Sequence, residues 1–452
     1  MKEVRPLIWF LQCTECGKPF PLEPGRYLCD DCRTKQEPER PLRGILECHW
    51  EAEQGQAGGS PQPPPGQAYP RWEDWLPVSP SYFPPIPVGN TALWEPRRLQ
   101  NLTGRANLFI KDDTCEPSGS FKDRASFLVA AFALERGISE IALASTGNAA
   151  SSMAAVGAAS HINIRVFLPQ KAPIAKRIQV LQYGAALSEV NGTYDLAFEQ
   201  SLAYSKETGV LSRNTAYNPL TIEGKKTVSF EIAAQLAARG KAADHIFVPV
   251  GDGVILSGLY KGFEDLFSLG FLKRIPTIWA CQAEGSSAIA RSFFLLRQTD
   301  TGDIPQEQRA GAEQIGSLGR IYKTAPAVFA PEIFSDPEPS TTIADSISVE
   351  IPRNGYHALG KLHAYGGWPV RVTDREILLA QRELASQSGL FAEPSSSAAW
   401  AGFRKVLQEQ EKKAIKVGGA PMVHRDDTVV ILITGTGLKD TSAALKALDV
   451  TS

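Results

Sequence analysis

Histidine is scarce in this chain: six residues in 452, and only His357 and His363 come near metal-ligand spacing. Those two read as surface or pocket residues, so a histidine-built metal centre is not expected. An excess of one charge is also missing, since 47 Lys and Arg against 49 Asp and Glu leave a net charge of −2. No general field then draws the chain to nucleic acid or to a membrane surface. Long hydrophobic runs are absent as well. The stretch Ile141 to Ile164 carries no Asp, Glu, Lys or Arg, but Ser, Thr, Asn and Gly interrupt it throughout. It is a buried strand, loop and helix, not a membrane span. Met1 to Pro6 offers no signal-peptide apolar region. Seven cysteines, four of them in two close pairs, suit a reducing cytosol better than a secreted disulfide framework. A cytoplasmic location is the expectation.

What is present is globular: 43% hydrophobic and 21% charged residues, in a length sufficient for two or three domains with sizeable cores. Residues 1–50 hold the two cysteine pairs, Cys13 with Cys16 and Cys29 with Cys32, twelve residues apart. Each CxxC can present two thiolates to one ion, and two such knuckles complete a tetrahedral shell. Gly17, Pro21, Pro24 and Gly25 supply the turns between them. The pattern favours a structural zinc over its alternatives, a disulfide pair or a redox CxxC. Cys48 with His49 could compete as ligands, though a buried thiol is the simpler reading. Lys18, Arg26, Arg33 and Lys35 are offset by Glu15, Glu23, Asp30, Asp31 and Glu37, so this module shows no basic stripe for nucleic acid. Residues 51–68 are rich in Gly, Gln and Pro and form a linker, stiffened where the prolines cluster.

From Tyr69 onward strand-like and helical runs alternate. Strands are predicted at Ile141–Ala144, Ile164–Leu168, Ile246–Val250, Thr277–Cys281, Pro369–Val372 and Thr428–Thr434, and helices at Ile222–Arg239, Ile255–Leu269 and Asp374–Ser388. This β/α alternation argues for open, mostly parallel sheets covered by helices, an α/β fold that binds ligands beyond the carboxyl ends of its strands.

Four segments at such ends carry the chemistry. Pro117 to Arg124 places Lys122 where a Ser/Gly turn runs into a helix. A lysine held there can lose its proton and attack a carbonyl carbon, although an isolated helix-start lysine is usually just solvated. Ser145-Thr146-Gly147-Asn148-Ala149 follows an apolar strand and gathers hydroxyls, an amide and backbone N–H groups suited to a carboxylate or phenolate. Gly251-Asp252-Gly253-Val254-Ile255 forms a plausible phosphate cradle. Val429 to Gly437 is a buried strand that ends in the hydroxyl of Thr434. Cys115 and Cys281 are expected in the core or a pocket. Lys225, Lys226 and Arg353 are expected as solvated charges, each able to meet a substrate anion.

With these residues in place, the chain resembles the threonine synthase branch of the fold-type II pyridoxal-phosphate enzymes, from about Pro87 to Asp440. The landmarks are Gly119 to Arg124, Ser145 to Asn148, Ile222 to Thr227, Glu393 to Ala398 and Thr434 to Asp440. The resemblance implies two open, mostly parallel sheet domains of the tryptophan synthase β type, preceded here by the four-cysteine zinc-ribbon-like module. Residues 69–452 would be the catalytic region, with a smaller domain inserted at about 126–237. It implies pyridoxal 5'-phosphate as cofactor, a small amino-acid substrate and a possible homodimer. Lys122 would carry the cofactor and shuttle the Cα proton, with Phe121 against the ring. Asn148 would meet the phenolic oxygen, and Ser145, Thr146, Asn148 and Ala149 would hold the substrate carboxylate. Gly251, Asp252, Gly253, Val254 and Ile255 would wrap the cofactor phosphate, and Thr434 would face the pyridine nitrogen.

Two positions depart from the family pattern. Thr221 stands where an arginine usually precedes Ile-Glu-Gly, and Val254 stands at a usual glycine. An arginine fork gives charge-assisted contacts that a threonine hydroxyl cannot replace. The expected activity is elimination and replacement on an amino acid, most like conversion of O-phospho-L-homoserine and water to L-threonine and phosphate. An ammonia-lyase or β-replacement enzyme on a serine- or threonine-like substrate stands beside it. A cofactor-binding or nucleic-acid-binding protein without activity is the alternative of another class.

Overall fold

A computed structural model describes residues 7–52, 69–170, 174–192, 194–299, 326–330, 332–334, 337–412 and 419–450. Residues 53–68 of the expected linker lie outside them. Among the described residues, three sheets organise the fold. The first is antiparallel, in the order β2-β1-β3, from β1 (Leu7–Cys13), β2 (Pro19–Pro21) and β3 (Leu46–Ala52).

The second sheet has six strands: β4 (Leu93–Trp94), β5 (Leu108–Asp112), β10 (His245–Pro249), β11 (Thr277–Ala283), β12 (Trp368–Val372) and β13 (Val429–Ile433). Their order is β12-β11-β10-β13-β5-β4, parallel except where β4 meets β5. The third sheet is parallel, in the order β8-β7-β6-β9, from β6 (Glu140–Ala144), β7 (Asn163–Pro169), β8 (Ala186–Val190) and β9 (Leu211–Ser212). The expected α/β architecture with mostly parallel sheets is what the chain adopts.

Local sequence explains the elements. β10 and β13 are buried along their whole length, as strands with both faces covered must be. The Asp374–Ser388 helix begins with a capping box between Thr373 and Glu376 and ends at Gly389, which takes φ +76. The six expected strands and the three helical stretches are all present, with ends shifted by one or two residues. The stretch expected over Ile222–Arg239 is two helices, Leu220–Lys225 and Thr227–Ala237, joined through Lys226. A Cβ on Gly224 would stand 2.4 Å from the Arg124 carbonyl, so glycine lets this pair approach the Lys122–Glu135 helix.

Sequence periodicity missed β4, β5, β8 and β9. β5 ends in Lys111 and Asp112, both buried, and Lys111 bonds Glu231 at 2.6 Å. That paired charge disguises a core strand as a polar one.

The cysteine-bearing sheet is welded to the rest. Leu11, Leu46 and Cys48 share one apolar core with Val228, Phe230 and Phe263. Glu47 of β3 lies 3.2 Å from Lys361 and 3.3 Å from His357, all three buried. His357 is therefore neither surface nor pocket; it packs at the seam between the module and the larger sheet. Among the described residues no helix is long and apolar enough to cross a membrane.

Candidate active site and cysteine centre

The turn before Lys122 is locked onto the end of β13. Ser120 forms an antiparallel bridge with Gly435, Phe121 N–H donates to the Thr434 carbonyl at 2.9 Å, and Thr436 N–H donates to the Gly119 carbonyl at 3.1 Å. Gly119 takes φ +80, and a Cβ there would meet Thr436 Cγ2 at 2.9 Å. The Asp123 carboxylate folds the turn from the other side, accepting from Ser118 N at 2.6 Å and Ser118 Oγ at 2.5 Å. Lys122 thus opens its helix at the carboxyl edge of the six-stranded sheet, half-buried, with Phe121 fully buried beside it. Burial first, and then the Arg213 guanidinium, hold the Lys122 amine below the usual lysine range, while Glu393 and Asp252 act the other way.

Beyond β6, Ser145 Oγ accepts from Gly147 N at 3.2 Å and shapes the turn into the Asn148–Ser160 helix. Thr146, Gly147 and Asn148 line a cleft of about 610 Å³ that also touches Gln179, Glu393 and Lys439. As first residues of their helix, Asn148 and Ala149 carry N–H groups outside the intrahelical ladder. Asn148 Nδ2 bonds both Glu393 oxygens, at 3.1 and 3.0 Å, and Ser346 Oγ at 3.1 Å. Burial pushes the Glu393 carboxyl up, and the Asn148 donors oppose that rise. Thr434 Oγ1 lies 3.0 Å from Ser396 Oγ, which also accepts from Thr434 N at 3.1 Å.

The Gly251–Ile255 segment follows β10 and opens the Val254–Ser268 helix. Gly253 sits at φ +90, and added Cβ atoms at Gly251 and Gly253 would each come within 2.7 Å of Ile347 Cα and Ala358 Cβ respectively. Asp252 fastens the turn: its Oδ1 accepts from Arg353 N at 2.6 Å and its carbonyl from Asn354 N at 3.2 Å. Burial raises its carboxyl. A glycine cradle at a helix N-terminus, a depressed lysine amine and a buried hydroxyl at a strand end fit a phosphorylated aldehyde cofactor. The buried Ser120 Oγ, without a partner among the described residues, is a further polar atom such a group could satisfy.

The cysteine centre is compact. The sulfurs of Cys13, Cys16, Cys29 and Cys32 all lie within 4.8 Å of one another, and all four thiols are free. Cys16 and Cys29 are 3.7 Å apart. A tetrahedral zinc with Zn–S of about 2.3 Å spaces its sulfurs by ~3.8 Å, whereas a disulfide needs about 2.05 Å. Gly44 closes the centre from behind at φ +70, where a Cβ would stand 3.1 Å from both Cys29 Cβ and Cys32 Cβ. Cys48 is buried in the apolar core and is not one of the four clustered residues.

Several residues differ from their sequence expectations. Cys115 is exposed, because the short helical turn Asp113–Cys115 carries it to the surface; Cys281 is buried as expected. Lys225 and Lys226 are fully buried rather than solvated, because the Gly224 approach presses their helix into the core. Lys226 pairs with Glu223 at 2.5 Å and Asp265 at 2.8 Å. Sequence reasoning assigned no role to Lys439, whose Nζ reaches Ser151 Oγ at 3.0 Å and Gln179 Oε1 at 3.1 Å across the cleft. Its place in the Thr434–Asp440 landmark was the available signal. Arg213 and Ser346 had none, since nothing in their local pattern marks them.

The model of the family described as pyridoxal-phosphate dependent enzyme matches residues 86–435. A threonine synthase of Methanocaldococcus jannaschii is 30% identical over 440 residues, covering 96% of this chain and 94% of that protein. One from Methanosarcina acetivorans is 31% identical over 438 residues, covering 96% and 93%. Among solved structures, the processed form of threonine deaminase isoform 2 from Solanum lycopersicum superposes with a TM-score of 0.59 at 19% identity, covering 80% of this chain and 88% of that one.

Proposed function

This chain belongs to the pyridoxal-phosphate dependent enzyme family, and from that membership we propose that it is a threonine synthase-like lyase acting on a phosphorylated amino acid. The specific reaction is O-phospho-L-homoserine and water giving L-threonine and phosphate. In it the Cγ–O bond breaks and phosphate leaves with the electron pair, Cβ loses one proton and takes the hydroxyl of water, and Cγ gains a proton. The observation that carries this reading is Lys122, which opens its helix from a turn bonded to the end of β13 through Phe121 N–H and the Thr434 carbonyl, with burial holding its amine below the usual range.

When bound, pyridoxal phosphate supplies an electron sink for the pair left at Cα. Lys122, its amine held below the usual lysine range by burial, would carry the cofactor and, once released from it, would move the proton at Cα. Ser145, Thr146, Asn148 and Ala149 bind the substrate carboxylate at a helix start. Phe121 would back the ring, and Asn148, now bonded to Glu393, would meet the phenolic oxygen. Gly251, Asp252, Gly253, Val254 and Ile255 hold the cofactor phosphate. Thr434 would offer the pyridine nitrogen a hydroxyl and no charge, which would leave that nitrogen largely neutral and soften the sink.

Structural zinc on Cys13, Cys16, Cys29 and Cys32 belongs to the same proposal, supported by the four-sulfur geometry. So do the metal module at 1–50 and a smaller unit at about 126–237, supported by the separate three- and four-stranded sheets. A cytoplasmic location, argued from the cysteine usage, and a homodimer, implied by the resemblance, belong to the proposal as well.

One observation favours a second reading, an ammonia-lyase or β-replacement enzyme. Thr221 is fully buried and its Oγ1 donates to the Asn218 carbonyl at 2.7 Å, so no arginine fork stands there. Offering the purified protein O-phosphohomoserine, O-phosphoserine, threonine and serine decides between them. Phosphate with threonine supports the first; keto acid from threonine or serine alone replaces it with the second.

A further inference from the structure

Lys225 ends the Leu220–Lys225 helix with its side chain fully buried, and its Nζ has no hydrogen-bond partner among the described residues. Its neighbour Lys226 has two carboxylates, so this part of the fold does pair its buried lysines. Lys225 stands apart. Its Cβ packs against the Val254–Ser268 helix about one turn from its start, where a Cβ on Gly258 would come within 2.7 Å of it.

The charges around it are mostly of its own sign. Burial, then Lys122 and Arg213, drive its ammonium well below the lysine range, and Asp252 opposes them. Asp252 is already tied to Arg353 N through Oδ1. Arg213 is fully buried, its guanidinium bonding Thr215 Oγ1 at 2.7 Å, Ser126 Oγ at 3.2 Å and the Lys122 carbonyl at 3.5 Å. Lys122 and Lys225 both act on the carboxylate of Asp252, just before the Gly253 N-cap of a 15-residue helix, and Arg213 acts on both lysines. The helix end and the glycine turn add partial positive charge there. Buried charge of one sign persists where a ligand of the other sign completes it.

We propose that Lys225, with Arg213 and the Gly251–Ile255 turn, binds a phosphomonoester dianion beside Lys122. This rests on the cofactor reading above and adds a residue that reading does not use. Thr221 and Lys225 lie four residues apart on one helix and so share a face. Binding also settles the proton on Lys225: an ammonium disfavoured alone becomes favoured against a dianion.

The dianion has two sources, the cofactor's phosphate and the substrate's, and one set of measurements separates them. Wild-type holoenzyme is compared with Lys225→Gln, Lys225→Met and Lys225→Arg. The readouts are cofactor retention by equilibrium dialysis and the affinity of the holoenzyme for inorganic phosphate by calorimetry. Loss of cofactor affinity by about tenfold or more in Gln and Met, the scale of a lost charge-assisted contact, assigns the cofactor's phosphate. The same loss confined to inorganic phosphate, with cofactor retained, assigns the substrate's. Either way Lys225→Arg recovers most of the affinity. Both affinities unchanged within about twofold in the neutral variants overturn the proposal. Insoluble Gln and Met variants overturn it too, because an unpartnered lysine replaced by an apolar isostere should not unfold the protein. A wild-type protein without lysine-linked cofactor would instead remove the underlying reading, a separately visible outcome.

Discussion

The side-chain amide of Asn148 donates to both carboxylate oxygens of Glu393, at 3.1 and 3.0 Å, joining the helix after β6 to the N-cap of the Pro394–Glu411 helix. One residue comes from the four-stranded sheet's side of the cleft and the other from the six-stranded sheet's side. The amide expected to meet a cofactor oxygen is thus bonded to a buried carboxylate of the opposite side.

Asn148→Ala should lower turnover by about 10- to 100-fold through the lost charge-assisted donor. It should also leave Glu393 without the contact that opposes its raised pKa. A carboxyl raised in the folded state contributes stability below the unfolded glutamate value of about 4.3, and that contribution is lost as pH climbs through the folded value. Melts of the variant should therefore fall more steeply with rising pH than those of the wild type. Parallel melting curves would exclude the coupling.

Lys122→Ala should abolish turnover on every substrate, by about 10³-fold or more, while circular dichroism stays native. Borohydride reduction followed by peptide mass mapping should find the cofactor on position 122 in the wild type and nowhere in the variant. A residual adduct elsewhere would show that another amine carries the group.

Cofactor-free protein should become more stable as pH rises toward the unfolded lysine value, about 10.4, because Lys122 and Lys225 are both depressed in the folded state. The unfolded chain binds more protons in that window, so raising pH favours the fold. Lys225→Met should raise stability at neutral pH and flatten the slope. Chemical melts at several pH values, compared at equal ionic strength, test the sign.

Gly253→Ala should cost about 1–2 kcal/mol for φ +90 and a further ~1–3 kcal/mol for the 2.7 Å approach to Ala358 Cβ. Cofactor affinity should fall with it if this turn is the phosphate cradle proposed above. Denaturation midpoints and cofactor dialysis together separate a bound-state effect from a general loss of stability.

Loss of the proposed zinc should be felt at the site. Ile45 of the cysteine module packs with Ala216, Ile222 and Val254, and Tyr27 OH accepts from Ser212 N at 2.8 Å, next to Arg213. Cys16→Ser should lose one metal equivalent by elemental analysis, lower the thermal midpoint and weaken cofactor retention. Full metal content in the variant would sink the four-sulfur assignment.

Much of the site was legible because its pieces are local. Gly119, Gly251 and Gly253 mark turns whose geometry allows little else, and Lys122, Asn148 and Thr434 sit beside such turns in the chain. Lys225 was visible only as one charge among many; its burial follows from Gly224 and Gly258 letting helices close on it. Arg213 gave no local signal at all, since only the pairing of β9 beside β6 brings it to the Lys122 carbonyl. Likewise β5 was hidden by Lys111, whose partner Glu231 lies 120 residues away.

The amino-acid order alone determined the alternation of strands and helices, the four-cysteine pattern and the turns at strand ends, because periodicity, spacing and backbone freedom act over a few residues. Which charges lie inside, and which of them lack a mate, was decided only by tertiary packing. Burial and ion pairing depend on segments far apart in the chain, and in this protein that distance separates Lys225 from Lys226, neighbours in sequence with opposite electrostatic fates.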